Sequence, residues 1–379
     1  MNPKVSICIL AFNGAKYLKN CIEAVFAQTY KNSELLIINN GSQDQGKTEK
    51  TIKNLVIKYP RTRYINNKAN IGFAGGHNQG IRETDTDGEY YLALNQDVIL
   101  DKNYVKELVC ACEKNPHIGA AQGKIKRLLP TDAKLDKKDF EKEKNLHKKL
   151  EKAHFVIMED LTLYQKTDII DAVGMELHRT GQATNIGEAE YDRGQYEEQM
   201  EIFGAAGTVP MYRRKALNDI KLKGKFALSK EEYFDETFFA YKEDIDMAFR
   251  LLLRQWKSIY VPTAIAYHER SAVGAGAYHK GNLAIAEQRK NKSKFSKKVS
   301  FRNHHYILLK NLFLKNFLQN LPEIAWYEMK MWGYALIMEP YLIHDMFKTI
   351  GKIPLMLRKR KMIMKKRKIN AKDMEKWFK

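Results

Sequence analysis

The chain opens on a tight apolar run. Residues 4–10 (KVSICIL) are rich in branched side chains and end against Asn13-Gly14, so they read as a buried strand. Tyr17, Leu18, Cys21, Ile22 and Val25 then recur at the spacing of one helical face. Residues 34–38 (ELLII) form a second buried strand, which stops at the turn formers Asn39-Asn40-Gly41-Ser42. A helical pattern follows to about Lys58, where Tyr59-Pro60 ends it. Residues 63–66 and 90–94 (YYLAL) give a third and a fourth strand, and a helix covers about 104–114. This alternation predicts an α/β fold with a doubly wound, mostly parallel sheet flanked by helices. Ligands of such sheets bind beyond the carboxyl ends of the strands. The unusual polar residues gather there: Asn13 after the first strand, 39–44 after the second, 70–78 after the third and 95–97 after the fourth.

The pattern breaks twice. Residues 134–152 are densely charged and read as an exposed insertion within about 130–166. From about Asn303 onward, aromatic and aliphatic residues mix with lysine. The expected organisation is one domain over 1–270 carrying that insertion, then a helical, basic C-terminal appendage over 271–379.

Charge sharpens the picture of that appendage. The formal net charge is +20, yet residues 350–379 hold only Asp373 and Glu375 as acids. The stretch 355–368 (LMLRKRKMIMKKRK) mixes aliphatics with dense positive charge, as an interfacial helix does, so an anionic membrane surface is an expected partner. A helical subdomain with a solvated basic end reads the same way. The cations cluster at one end and no nucleic-acid-binding motif appears, so no specific nucleic acid is expected. Cys8, Cys21, Cys110 and Cys112 sit in apolar segments without paired spacing and read as free thiols of a reducing compartment. The strand-like run at residue 4 leaves no room for a signal peptide, and no apolar stretch reaches a membrane span of about 18 residues. A cytoplasmic protein, peripheral at the inner face of the cell membrane, is the expectation.

Four constellations carry candidate chemistry. The amides and carboxylate of 39–44 can pair with a nucleobase edge, or simply form an Asx-rich turn. In 70–78 (NIGFAGGHN) small residues let a backbone approach a ligand, and a helix from near Gly75 would offer free N–H groups. The carboxylate of Asp97, in LNQDV at 94–98, suits a hard divalent cation. In 234–250 (FDETFFAYKEDIDMAFR), Ile245, Ala248, Phe249 and Leu252 have helical spacing, so Glu243 and Asp244 fall at a helix start, as caps or as a general base. A strand over 260–268 ends in His268. No GxGxxG follows the first strand, which excludes a Rossmann dinucleotide site.

In this order, VSICILAFNG at 5–14, NNGSQD at 39–44, NIGFAGGHNQG at 70–80, LNQDV, GAAGTVPMYRR at 204–214 and the 234–250 segment ending in the distal His268 resemble the family 2 glycosyltransferases, which have the GT-A fold. The resemblance spans about 4–268, with a weaker echo at Arg302-Asn303, and is nearest to the rhamnosyltransferase-like branch. It implies that Ala11, Asn13, Asn39 and Ser42 line a nucleoside pocket. Asn70, Gly72, Phe73, Ala74 and Gly75 would hold ribose, diphosphate and sugar, with Asn95 and Gln96 also on the nucleotide. Asp97 would bind a metal–diphosphate unit with help from His268. Asp244 would be the base, and Glu243 with Gly204, Ala205, Ala206 and Gly207 would shape the acceptor pocket. The implied reaction inverts configuration, moving a sugar (L-rhamnose from a dTDP donor, or another sugar from a UDP donor) to a glycan or polyprenyl-linked hydroxyl in cell-surface polysaccharide synthesis. The pattern departs from the family twice. Asn39 and Asn95 stand where many members carry Asp, so dependence on Mg2+ or Mn2+ is expected to be weak or dispensable. The same departures would suit a degenerate, partner-binding subunit.

Overall fold

The computed structural model describes residues 2–134, 152, 154–224, 227–229, 231–270, 289 and 292–379. Strands β1 (Val5–Ala11), β2 (Ser33–Asn39), β3 (Thr62–Asn66) and β4 (Tyr90–Asn95) alternate with helices α1 (Ala15–Phe26), α2 (Lys47–Lys58) and α3 (Gly72–Glu83). They pair in parallel in the order β3-β2-β1-β4. Both sheet faces are apolar because helices cover both. Val5, Ile7 and Ile9 pack on the side of Leu18, Cys21 and Ile22 from α1. Cys8, Leu36 and Ala93 pack on the side of Ala74 and Ile81 from α3.

The chain continues through β5 (Val98–Leu100), α4 (Tyr104–Glu113), β6 (Ile118–Lys134), β7 (Phe155–Ile157), β8 (Thr162–Ala172), β9 (Met175–Leu177), β10 (Ala183–Asn185), β11 (Met200–Ile202) and β12 (Met211–Arg213). Then come α5 (Arg214–Ile220), β13 (Leu222–Lys223), β14 (Glu231–Glu232), α6 (Glu243–Leu253) and β15 (Lys257–His268). β12 runs antiparallel between β4 and β6, while β15 lies parallel to β6 and antiparallel to β5 and β11. The expected α/β class holds, but its far half is mixed. Strands of three residues leave no periodicity to read.

Two expectations need correction. Residues 155–166 were assigned to the insertion, yet they form β7 and the start of β8, paired with each other and with β6. Ile157, Met158, Leu163 and Tyr164 are buried while Glu159, Asp160 and Gln165 are exposed, so the segment is half-buried. The densest part of that insertion, 135–151, lies outside the described residues. Helix α3 begins at Gly72, not near Gly75, because Asn70 Oδ1 accepts the Gly72 N–H at 2.8 Å and Phe239 O accepts the Ala74 N–H at 3.1 Å.

The C-terminal region forms α7 (Lys294–Asn311), α8 (Leu314–Gln319), α9 (Leu321–Met338), α10 (Tyr341–Ile350), α11 (Ile353–Lys365) and α12 (Ala371–Glu375). Tyr306, Ile307, Leu312, Met356, Ile363 and Phe378 join the same apolar cluster as β1. The apolar side of α11, assigned from sequence to a membrane, therefore packs inward. Two of its region's cations do so as well. Lys310 reaches Asp235 at 2.5 Å and Asp246 at 2.6 Å, and Lys359 reaches Glu232 at 3.3 Å and also pairs with Asp235. All five groups are fully buried, so each charge needs its partners. Among the described residues no helix is long and apolar enough to cross a membrane.

Candidate active site

At the carboxyl ends of β1 and β2, three side chains tie two loops together. Asn39 Oδ1 accepts from Ser42 Oγ at 2.5 Å, and Ser42 Oγ accepts the Asn13 N–H at 3.0 Å. Asn13 Oδ1 accepts the Gln43 N–H at 2.7 Å. Asn39 Nδ2 donates to Asn66 Oδ1 at 2.8 Å. Ala11 is buried, and its carbonyl accepts the Asn40 N–H at 2.7 Å. Gln96 turns back on β1, exchanging two hydrogen bonds with the Phe12 backbone at 2.9 and 3.0 Å. A Cβ on Gly14 would strike the Gln96 amide, so glycine is required there for this contact.

Asn40 organises the next loop. Its amide donates to Asn70 Oδ1 and Gly72 O, both at 3.1 Å, and its oxygen accepts the Ile71 N–H at 3.2 Å. Gly72 has φ +79°, and a Cβ there would lie 2.5 Å from Phe239 O. Gly75 and Ala74 are buried in the first turns of α3, and the Phe73 ring packs edge-on to His77 with centroids 4.4 Å apart. Burial pushes His77 down to about 3, so it stays neutral.

Asp97 and His268 meet at the end of β15. His268 Nε2 lies 3.5 Å from Asp97 Oδ1, and Nδ1 lies 2.8 Å from Asp171 Oδ2. Burial opposes charge on this ring, but the carboxylates of Asp97 and Asp171 outweigh it and raise the imidazole to about 10. Asp171 is buried too, yet Arg270, His268 and Arg127 bring its carboxyl down to about 2. Asp171 fixes the ring so that Nε2 faces Asp97, which is how a carboxylate orients a metal-binding histidine. The pair Asp97 and His268 fits a divalent ion once Nε2 gives up its proton, so the ion would replace the proton that the two carboxylates otherwise hold on the ring. Among the described residues no cluster of three metal-ligating side chains occurs, so substrate oxygens would complete the shell.

The 204–207 turn lies between this station and α6. Its Ala206 N–H donates to the buried Gln122 at 2.5 Å, and Gly204 presses on α6, where a Cβ would stand 2.3 Å from that of Ala248. Ala205 is buried behind it. Gly207 N–H donates to Asp244 Oδ2 at 3.0 Å, and the next residue, Thr208, accepts the Asn95 N–H at 3.1 Å. Burial raises the Asp244 carboxyl, although the Gly207 and Ile245 N–H groups act against it. Glu243 is raised to about 8 by burial and by Asp244.

Before α6 the backbone is strained: Phe239, Tyr241 and Lys242 have φ of 63°, 64° and 68°. Asn303 on α7 holds this loop, its amide lying 2.9 Å from Phe238 O, 2.9 Å from Ala240 O and 2.7 Å from Tyr241 O. The Arg302-Asn303 echo thus has a structural meaning. Asp171 and Gln122 escaped the sequence reading, and Asn40, expected with the rest of 39–44 to pair with a nucleobase edge, instead ties that turn to the 70–72 loop. An acid inside the apolar run IIDA was the available signal for Asp171.

A sequence profile described as "Glycosyl transferase family 2" matches residues 6–221, more than half of the chain. The chain belongs to glycosyl transferase family 2. A protein of Rickettsia felis named only as an uncharacterized glycosyltransferase is 38% identical over 108 residues, covering 28% of this chain and 17% of that protein. Another from Haemophilus influenzae is 32% identical over 118 residues, 31% of this chain and 35% of that protein. Glycosyltransferase GlyG of Streptococcus pneumoniae is 28% identical over 108 residues, 28% of this chain and 35% of GlyG. The chain thus matches about a third or less of each of these relatives. A solved structure of GalNAc-T7 with UDP, GalNAc and Mn2+ aligns with a TM-score of 0.49 at 13% identity, over 76% of this chain and 48% of that one.

Proposed function

We propose that this protein is an inverting glycosyltransferase that moves a sugar from a nucleoside-diphosphate donor to an acceptor hydroxyl. The carrying observation is the link through Gly207-Thr208, whose backbone bonds Asp244 on one side and Asn95, two residues before Asp97, on the other. A base station and a diphosphate station are thereby held by adjacent residues. The acceptor oxygen attacks the anomeric carbon opposite the leaving diphosphate, and Asp244 takes its proton. Burial raises the Asp244 carboxyl toward neutrality, which strengthens it as a base. Glu243 is neutral at pH 7 and so adds no second negative charge beside it. A divalent ion held by Asp97 and His268 would neutralise the departing diphosphate. Asn13, Asn39 and Ser42 form one bonded corner for the nucleoside. The dipole at the start of α3 favours the anionic part of the donor, while the Ile71, Gly72 and Ala74 N–H groups are already given to Asn40, Asn70 and Phe239.

The donor assigned here is dTDP-rhamnose, with a UDP-sugar as the second reading, and Mg2+ or Mn2+ is a weak requirement because Asn95 replaces an acid. The reading places the protein at an anionic membrane surface and its acceptor on a lipid-linked glycan. Exposed Trp326, Leu336, Ile337 and Phe347 on α9 and α10 support this better than α11 does. Calorimetric titration with dTDP, UDP and GDP, each with and without Mn2+, tests the donor. Selective dTDP binding is expected, and binding of none would replace the enzyme with a partner-binding subunit. Asp244→Asn should abolish turnover while keeping donor affinity. An active variant would sink the base assignment.

A further inference from the structure

The loop that leads into the base is gripped at both ends by one lysine from a distant helix. Residues 239–242 turn from Phe238 into α6, with positive φ at Phe239, Tyr241 and Lys242, and Glu243 and Asp244 follow at once. Ahead of the loop, Lys310 Nζ lies 2.5 Å from Asp235 Oδ2 and 4.7 Å from the centre of the Phe238 ring. Behind the loop, the same ammonium lies 2.6 Å from Asp246 Oδ1, which Asn311 Nδ2 also meets at 2.8 Å. Asp235, Asp246, Lys310 and Asn311 are all 0% exposed, so bulk water does not weaken these contacts.

The direction of these contacts matters for Asp244. Asp244 and Asp246 stand two positions apart, about 200° round a helix, so they face opposite sides of α6. One side is bonded to the 204–207 turn, through Gly207 N–H and Asp244 Oδ2 at 3.0 Å. The other is bonded to α7 through Lys310 and Asn311, while Arg250 Nε lies 2.8 Å from Asp246 Oδ2 within α6 itself. A helix held on both sides resists rolling, so Asp244 meets the turn in one orientation. Lys359 on α11 backs the arrangement, donating to Thr237 Oγ1 at 2.8 Å and pairing with Asp235. The network sets three acids, Glu232, Asp235 and Asp246, against three cations, Arg250, Lys310 and Lys359.

Charge balance alone would be met by a cation anywhere in this network. Lys310 instead joins the two segments that the loop separates, Asp235 and Phe238 before it and Asp246 after it. We propose that Lys310, with Asn311, is a positioning residue for the base: it staples the loop across its ends and fixes how α6 presents Asp244 to the 204–207 turn. This rests on the transferase reading and extends the base station into α7, beyond the residues 6–221 that the family profile matches. Without Lys310, Asn303 still holds the carbonyls of Phe238, Ala240 and Tyr241, so the cap on α3 stays and donor binding is spared.

The test compares Lys310→Met with the double variant Lys310→Met/Asp246→Asn in the full chain. The double variant restores charge balance, leaving Glu232 and Asp235 against Arg250 and Lys359. Melting temperature reads the fold, and exchange of the Gly207 amide in glycine-labelled protein reads its bond to Asp244. Release of nucleoside diphosphate from the sugar donor reads turnover. Lys310→Met should melt lower, exchange Gly207 faster and lose turnover by about 10–100-fold, at unchanged affinity for dTDP or UDP. The double variant should regain melting temperature but neither slow exchange nor turnover. Recovery of all three together would overturn the proposal, because the lysine would then only balance charge. Unchanged Gly207 exchange in Lys310→Met would overturn it as well. Should neither lysine variant fold, Asn311→Ala, which keeps every charge, decides: faster Gly207 exchange upholds the staple, and unchanged exchange overturns it. Absence of nucleotide binding in the wild type, with exchange still responding to Lys310, would sink the transferase reading and leave the staple standing.

Discussion

Replacing Asn303 by alanine should damage both stability and the active site, although the side chain lies on a helix outside the family match. Its amide has two hydrogens but faces three carbonyls within 2.9 Å, so two bonds are strong and one is shared. Each bond lost costs about 1 kcal/mol net, and each carbonyl left buried without a donor costs about 1–3 kcal/mol. Relaxation of the loop recovers part of this, leaving an expected loss of about 2–4 kcal/mol, a large share of a typical folding free energy of about 5–15 kcal/mol. The functional cost follows from position. Phe239 O caps the start of α3, and Lys242 leads into Glu243 and Asp244, so a relaxed loop disturbs the proposed donor and acceptor sides together. Phe239, Tyr241 and Lys242 hold positive φ, and the Asn303 amide, with the bond from Ala74 N–H to Phe239 O, restrains them there. Urea unfolding measures the first effect, and kcat/KM with donor titration measures the second, expected to fall tenfold or more. Asn303→Asp matches the shape but offers no hydrogen, so it should be at least as damaging. Stability within about 0.5 kcal/mol of wild type in both variants, with normal turnover, would refute the argument.

Glu243→Gln should reverse a pH-dependent penalty. Its folded carboxyl is raised to about 8, so the stability it contributes is present below the ordinary carboxyl range and lost as pH rises through about 8. The variant should therefore be more stable than wild type at pH 9, by on the order of 2 kcal/mol, and equal to it near pH 4; thermal melts at both values check this. Asp171→Asn should weaken Mn2+ binding about 10–100-fold and lower the His268 pKa, read by calorimetry and by imidazole NMR. Unchanged values would mean that Asp171 only packs. Chelation should leave much of the transfer activity intact, and complete loss restored by Mn2+ would show that Asn95 has not relaxed the requirement.

Much of the parallel half of the sheet is local, and the sequence by itself determined it. Strands β1 to β4 are short apolar runs closed by turn formers, so element type and the side on which ligands gather follow from periodicity and from the parallel topology it imposes. Asn13, Asn39, Ser42, Asn70 and Gly72 could be singled out because each sits at such a strand end. Local pattern says nothing about which distant elements close on one another. Gln96 looked like a ligand residue but folds back on Phe12, which only the pairing of β1 with β4 makes possible. Asp171 lies 97 positions before His268 and joins it only because β8 and β15 flank β6. The C-terminal cations divide. Arg358, Lys361 and 365–368 are exposed, as a solvated basic end would be, whereas Lys359, and Lys310 well before that stretch, are drawn fully inside by Glu232, Asp235 and Asp246. Charge is visible in a sequence, but whether it meets water or a buried partner depends on contacts between residues far apart in the chain, and the tertiary structure alone decides that.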